Sequence, residues 1–168
     1  MQSRRLLLVR HAKAADGAVD ADRPLTKRGA RRATAIGAWL EQTGLVPDRV
    51  LVSPARRAAQ TWELAGATLV PGLRPLVDPR IYTNTVEALL AAIQETPDDV
   101  GTLAVVGHNP SIAELAVVLD DGQGNPEARR AVDEGFATGG VAVFVAAESF
   151  ATIAPGTATL TDFTVPGT

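Results

Sequence analysis

The chain has 168 residues, a formal net charge of −3, two histidines and no cysteine. That length suits one domain, expected over residues 1–168, and the missing cysteine excludes disulfides, thiolate zinc sites and a thiol nucleophile, as suits a reducing compartment. No apolar run approaches a membrane span, and Leu6–Val9 is too short for a signal peptide, so a soluble cytoplasmic protein without a membrane partner is expected.

The first predicted strand is Leu6-Leu7-Leu8-Val9, which leads into Arg10-His11. Thr26 is placed to cap a helix running to about Thr43, with Ala30, Ala33, Gly37 and Leu40 on one face and Gly44 and Pro47 ending it. Arg49–Val52 reads as a second strand. Ser53-Pro54 then offers an N-cap and a first-turn proline for a helix through about Ala67. Leu69-Val70 and Leu76-Val77 are weak strand candidates among prolines and glycines. Asn84-Thr85-Val86-Glu87 resembles a capping box opening a helix over 86–95.

Thr102–Val106 is the third clear strand and delivers Gly107-His108, after which Asn109-Pro110-Ser111 starts a helix to about Leu119. A loop over 121–126, then a short helix, precede late strands at Val141–Val145 and Thr157–Phe163, paired as a hairpin across Pro155-Gly156. Residues 121–139, rich in glycine and charge, are the expected mobile stretch. Alternation of strand and helix predicts an α/β fold in three layers, a mainly parallel central sheet with helices on both faces.

Both imidazoles therefore stand at the carboxyl edge of predicted strands, where open α/β sheets bind ligands. Arg10 precedes one of them, and Arg56-Arg57 follow the second strand. Only one of that adjacent pair needs to face the site, and spacing does not choose between them. Helix amino termini near Pro54 and Pro110 add free N–H groups, and guanidinium forks match phosphate oxygens, so a phosphoryl ligand is expected.

Charge is distributed to match. Residues 1–60 carry 12 Lys/Arg against 5 Asp/Glu, whereas residues 61–168 carry 4 against 14. A basic segment within an acidic chain favours local attraction of one anion over nucleic-acid binding. A neutral imidazole is a competent nucleophile toward phosphorus, and Arg10, one of Arg56 and Arg57, and His108 are the groups expected to bind substrate and neutralise its oxygens. Arginines beside both histidines oppose a cation, so no metal or other cofactor is expected.

The segments Leu7-Leu8-Val9-Arg10-His11-Ala12-Lys13-Ala14, Arg23-Pro24-Leu25-Thr26 with Gly29, Ser53-Pro54-Ala55-Arg56-Arg57-Ala58-Ala59-Gln60-Thr61 and Val105-Val106-Gly107-His108-Asn109-Pro110 occur in that order. Together they resemble the histidine phosphatase superfamily, most closely its small SixA-type phosphohistidine phosphatases. The resemblance implies that His11 is the phosphorylated nucleophile and that Arg10, Arg57 and His108 bind phosphate, with Arg56 outside the site. Ala12 stands where the superfamily usually has glycine.

Ester-hydrolysing members use a carboxylic acid to protonate the leaving group, and the acid-phosphatase branch carries it directly after the second histidine, where this chain has Asn109. Asp78 and Glu87 are the remaining candidates, and Glu87 is better explained as a helix-capping residue. A site without such an acid favours a phosphoramidate, so a phosphorylated protein bearing phosphohistidine is the expected substrate. A phosphomonoesterase for a small phosphorylated metabolite or nucleotide, with Asp78 or Glu87 as acid, is the alternative, and a non-catalytic phosphate-binding module is a third reading. Trp39 and Trp62 read as packing residues, and Lys13 as a solvated lysine. Lys27, Arg28, Arg31 and Arg32 oppose the dipole of their own helix, which points to a face that docks an acidic phosphoprotein.

Overall fold

The computed structural model describes residues 3–146 and 148–168. Met1 and Gln2, ahead of the apolar run Leu6–Val9, and Ala147, between the two late strands, lie outside it. Six strands form one sheet: β1 (Arg4–Arg10), β2 (Arg49–Val52), β3 (Leu76–Val77), β4 (Thr102–Gly107), β5 (Val141–Ala146) and β6 (Ala158–Thr164). Their spatial order is β3-β2-β4-β1-β5-β6. The pairs β1–β4, β2–β4 and β2–β3 are parallel, and β5 runs antiparallel to both β1 and β6. Crossovers between the parallel strands are made by α1 (Lys27–Thr43), α2 (Arg56–Leu69), and α3 (Pro79–Thr83) with α4 (Val86–Gln94). Next come α5 (Ser111–Leu119) and α6 (Pro126–Glu134), which lead to the antiparallel edge.

Period-two alternation within fully apolar strands makes the three layers. Leu6 and Leu8 of β1, Leu103 and Val105 of β4, and Ala142 and Phe144 of β5 face one cluster, completed by Leu89, Ile93, Ile112, Leu115 and Val132 from α4, α5 and α6. Leu7, Val9, Ala104, Val106, Val141 and Val143 face the other, against Ile36, Leu40, Ala58, Trp62 and Ala65 of α1 and α2. Trp39 packs at the margin of that second cluster, so both tryptophans are packing residues. Among the described residues no helix is long and apolar enough to cross a membrane.

Helix ends explain most departures from the expected boundaries. Thr26 caps α1 by accepting the Gly29 N–H, and Gly44 ends it in the left-handed region at φ 72°. The buried face of α1 is Gly29, Ala33, Ile36, Gly37 and Leu40, so Gly29 and Ile36 do the work assigned to Ala30. The second helix opens at Arg56, not at Ser53-Pro54: the Ser53 hydroxyl accepts the Ala55 N–H, one residue short of the helix, and Ala55 is the N-cap residue. It runs on to Leu69, which removes Leu69-Val70 as a strand. Thr85, not Asn84, caps α4 through the Ala88 N–H, leaving Glu87 exposed in the first turn.

The expected hairpin of the late strands is present: β5 pairs antiparallel with β6 and Pro155-Gly156 forms a turn just before β6, while the connection also contains a 3-10 turn at Phe150–Thr152. Within residues 121–139 the short helix expected after the loop is α6. Asn125 caps it by accepting the Glu127 and Ala128 N–H groups, and Ala128, Val132 and Phe136 anchor it in the core.

Candidate active site

Parallel pairing of β1 with β4 sets Arg10 opposite Gly107, and the next residue on each strand is a histidine. The His11 N–H donates to the Gly107 carbonyl (3.0 Å), extending the ladder one step past the strands. The two imidazole centroids lie 5.2 Å apart, tilted by 54°. Gly107 is required at this crossing because a Cβ there would come within 2.9 Å of Ile81 Cγ2. Thus two rings 97 positions apart in sequence meet through register alone.

Each ring has a defined partner. His11 Nδ1 contacts the Ala12 carbonyl at 2.7 Å. A carbonyl only accepts, so Nδ1 carries the proton and Nε2 keeps its lone pair. His108 Nε2 is hydrogen-bonded to Ser53 Oγ (2.8 Å), which also accepts the Ala55 N–H (3.1 Å), while His108 Nδ1 has no protein partner among the described residues. Burial pushes the His11 pKa down to about 4, helped by the charges of Arg57, Arg10 and Arg23. His108 is pushed to about 3, chiefly by burial and then by His11 and Arg57. Both rings are neutral at pH 7.

Arg57 is buried and its fork grips one residue: Nη1 donates to the Asp20 backbone carbonyl (2.8 Å) and Nη2 to Asp20 Oδ2 (3.1 Å). Arg56 is exposed, as expected. The Thr61 hydroxyl donates to the Arg57 carbonyl (2.7 Å) and accepts the Ala12 N–H (3.0 Å), tying the start of α2 to the loop after β1. Arg10 donates through Nη1 to the Phe136 carbonyl (2.9 Å), and its buried Nε has no protein partner among the described residues. Asn109 Nδ2 donates to that same carbonyl (3.0 Å).

Asp20 and Tyr82 were not singled out from the sequence. Asp20 accepts from Arg57, from Arg23 Nη1 (3.1 Å) and from the Tyr82 hydroxyl (2.6 Å), and these bonds hold its carboxyl well below the usual range. Tyr82, the only tyrosine, stands edge-on to His108 with centroids 5.7 Å apart. The only signals were the Asp-x-x-Arg spacing of Asp20 and Arg23 and the rarity of tyrosine, and neither carries weight without the fold.

Neither candidate acid sits as an acid should. Asp78 caps α3 through the Arg80 N–H (2.9 Å) and pairs with the Arg80 guanidinium (2.7 Å), which holds its pKa down. Arg80 also pairs with Glu95. Glu87 lines a separate groove between α4 and α5, with Leu90, Ala113 and Val117.

Comparison with known proteins agrees with this arrangement. A family model described as histidine phosphatase superfamily (branch 1) matches residues 6–82. An uncharacterised protein of Mycobacterium tuberculosis is 38% identical over 94% of this chain and 99% of its own. The phosphohistidine phosphatase SixA of Escherichia coli is 32% identical over 72% of this chain and 77% of its own. Among solved structures, a protein proposed to be SixA of Nakamurella multipartitia superposes with a TM-score of 0.86 at 31% identity, covering 100% of this chain and 99% of that one. A protein histidine phosphatase SixA complexed with tungstate gives 0.78 at 28% identity, over 96% and 97% of the two chains. With paired imidazoles and arginines at the carboxyl edge of its sheet, this chain belongs to the histidine phosphatase superfamily, as a phosphatase of the SixA type.

Proposed function

We propose that the chain, acting as one domain over residues 1–168, hydrolyses phosphohistidine on a protein in the cytoplasm through a phospho-His11 intermediate and without a metal. The observation that carries this reading is the state of His11: neutral, with Nδ1–H given to the Ala12 carbonyl and the Nε2 lone pair left to attack. In the first step Nε2 bonds to phosphorus and the P–N bond of the substrate breaks. The electron pair goes to the leaving imidazole nitrogen. A proton already held on the other nitrogen of that ring lets it depart neutral. In the second step water attacks phosphorus, the bond to Nε2 breaks, and the proton from water leaves with phosphate.

Arg10, Arg57 and His108 would bind the phosphoryl oxygens, and the unpartnered Arg10 Nε and His108 Nδ1 fit that task, since buried polar atoms otherwise nearly always find a protein partner. The cationic surroundings oppose a bound metal ion. The ionised carboxyls favour a phosphoramidate over an ester: Asp78 is capped and paired, Asp20 is held charged by three donors, and Glu87 lies in another groove. Tungstate, a tetrahedral oxyanion like phosphate, is bound by one SixA neighbour, in keeping with this reading.

The test is to quench turnover of a phosphohistidine protein and map acid-labile phosphate on the enzyme. Label on His11 is expected, and His11→Ala should lower kcat by about a thousandfold or more. Label on another residue, or turnover of a phosphoserine peptide or sugar phosphate equal to that of phosphohistidine, overturns the proposal. Affinity for substrate without any turnover in the unaltered chain would leave the non-catalytic module as the better account.

A further inference from the structure

Beside the active site lies a cavity of about 620 Å³ into which three cations project: Lys13 from the loop after β1, and Arg28 and Arg32 from α1. Thr138, Phe163, Thr164, Val165 and Thr168 also line it, and none of the lining side chains is acidic. Among the described residues none of the three cations makes an ion pair; the paired basic residues are Arg4, Arg23, Arg57, Arg80 and Arg129. Arg28 and Arg32 are four residues apart on one helix, a like-charge pair that weakens it, and positive charge in the first turn also opposes the dipole. By contrast, α4 and α6 carry glutamate in their first turns.

The cavity is built into the same frame as the catalytic loop. Lys13 is two residues from His11, and its carbonyl accepts the Thr26 N–H (2.9 Å). A Cβ on Gly29 would fall 2.1 Å from the Lys13 carbonyl oxygen, so the first turn of α1 lies directly on that loop. On the far side the Gly139 N–H bonds the carbonyls of Arg10 and His11 (3.1 and 3.0 Å), and a Cβ there would meet Arg32 Cγ at 2.6 Å. Gly139 adopts φ 77°, which favours glycine at this crossing. Backbone contacts therefore hold the cation-bearing elements in register with the nucleophile.

We infer that Lys13, Arg28 and Arg32 form a second anion subsite that receives acidic side chains flanking the phosphohistidine of a protein substrate. This rests on the proposed protein substrate. The remainder of the chain steers such a partner here, because residues 61–168 carry a net −10 and repel acidic surfaces elsewhere.

The test uses two synthetic peptides with one phosphohistidine each, made by phosphoramidate treatment, flanked by glutamates in one and alanines in the other. At low salt the glutamate peptide should give a kcat/KM about tenfold higher, through KM, and the ratio should fall to near one at about 1 M salt, where the Debye length is about 3 Å. In the triple variant Lys13→Gln, Arg28→Gln, Arg32→Gln the ratio should be near one at low salt, with turnover of the alanine peptide and of an aryl phosphate within twofold of the original chain. A ratio near one in the original chain, a ratio that persists in the variant, or equal loss on all substrates overturns the inference. Should neither peptide be dephosphorylated, the proposed function has failed instead. Binding of the fluorescently labelled, unphosphorylated glutamate peptide then decides the subsite: loss of binding in the variant supports it, and equal binding removes it.

Discussion

At the scale of single residues, the site is defined as much by how its charges are shared as by which they are. Asp20 offers Arg57 an internal anion through its carboxylate and its backbone carbonyl, and on the proposed function it competes there with a phosphoryl oxygen for that guanidinium. Asp20→Asn keeps the shape and removes the charge. Two unit charges about 6 Å apart interact by about 0.7 kcal/mol in a water-like dielectric and by about twice that with moderate exclusion of water, so at the solvent-exposed Asp20 tungstate inhibition should strengthen roughly threefold to tenfold in the variant at low salt. Unchanged or weaker inhibition would show that Asp20 does not compete for Arg57. Arg10, His11, Arg57 and His108 were legible because each closes or follows an apolar run or lies in a recognised segment. Asp20 lies in a polar loop, and nothing near it in sequence says that Arg57, Arg23 and Tyr82 converge there. Ser53 looks like a helix cap in sequence, whereas in the fold its hydroxyl accepts the Ala55 N–H ahead of the helix and bonds His108.

Among the elements, the close approach of α1 to α2 governs where Arg57 stands. A Cβ on Gly37 would lie 2.2 Å from the Ala65 carbonyl oxygen, a backbone atom that cannot swing aside. Gly37→Ala should therefore push the helices apart and destabilise the protein by about 2 to 3 kcal/mol. For a chain of this size that is a Tm lower by about 4–12 °C, measurable by thermal circular dichroism. An unchanged Tm would mean that the helix pair adjusts without strain. Helix existence was readable from periodicity, whereas helix starts were not, as Ser53 and Asn84 show. Several capping residues compete locally, and the winner is set by what else their side chains can bond: Asn84 is drawn to the Asn109 carbonyl (2.8 Å) and the Ser111 N–H (3.1 Å), leaving the cap to Thr85.

For the whole molecule, burying two neutral histidines couples folding to protons. Their pKa values of about 4 and about 3 in the folded chain lie below the ordinary unfolded value near 6.5, so between these limits the unfolded chain binds more protons. Stability is therefore complete above about pH 6.5 and falls as pH drops toward 4, by up to about 1.4 kcal/mol per pH unit for each histidine. Urea unfolding followed from pH 7 to pH 4 measures this slope. The double variant His11→Asn, His108→Asn should flatten it, and a slope unchanged in that variant would assign the dependence to other groups.

The amino-acid order alone determined the main strands, the three layers and Arg10, His11 and His108 at the sheet edge, with Arg57 chosen over Arg56 only by motif order, because apolar runs, their periods and motif order are local properties of the chain. Tertiary structure alone decided which groups those four touch. Arg57 finds Asp20 across 37 residues, Tyr82 reaches Asp20 across 62, and Arg10 reaches the Phe136 carbonyl across 126. Such contacts depend on strand register and on where loops are pinned, as does the cavity shared by Lys13, Arg28 and Arg32, and no short stretch of sequence contains that information.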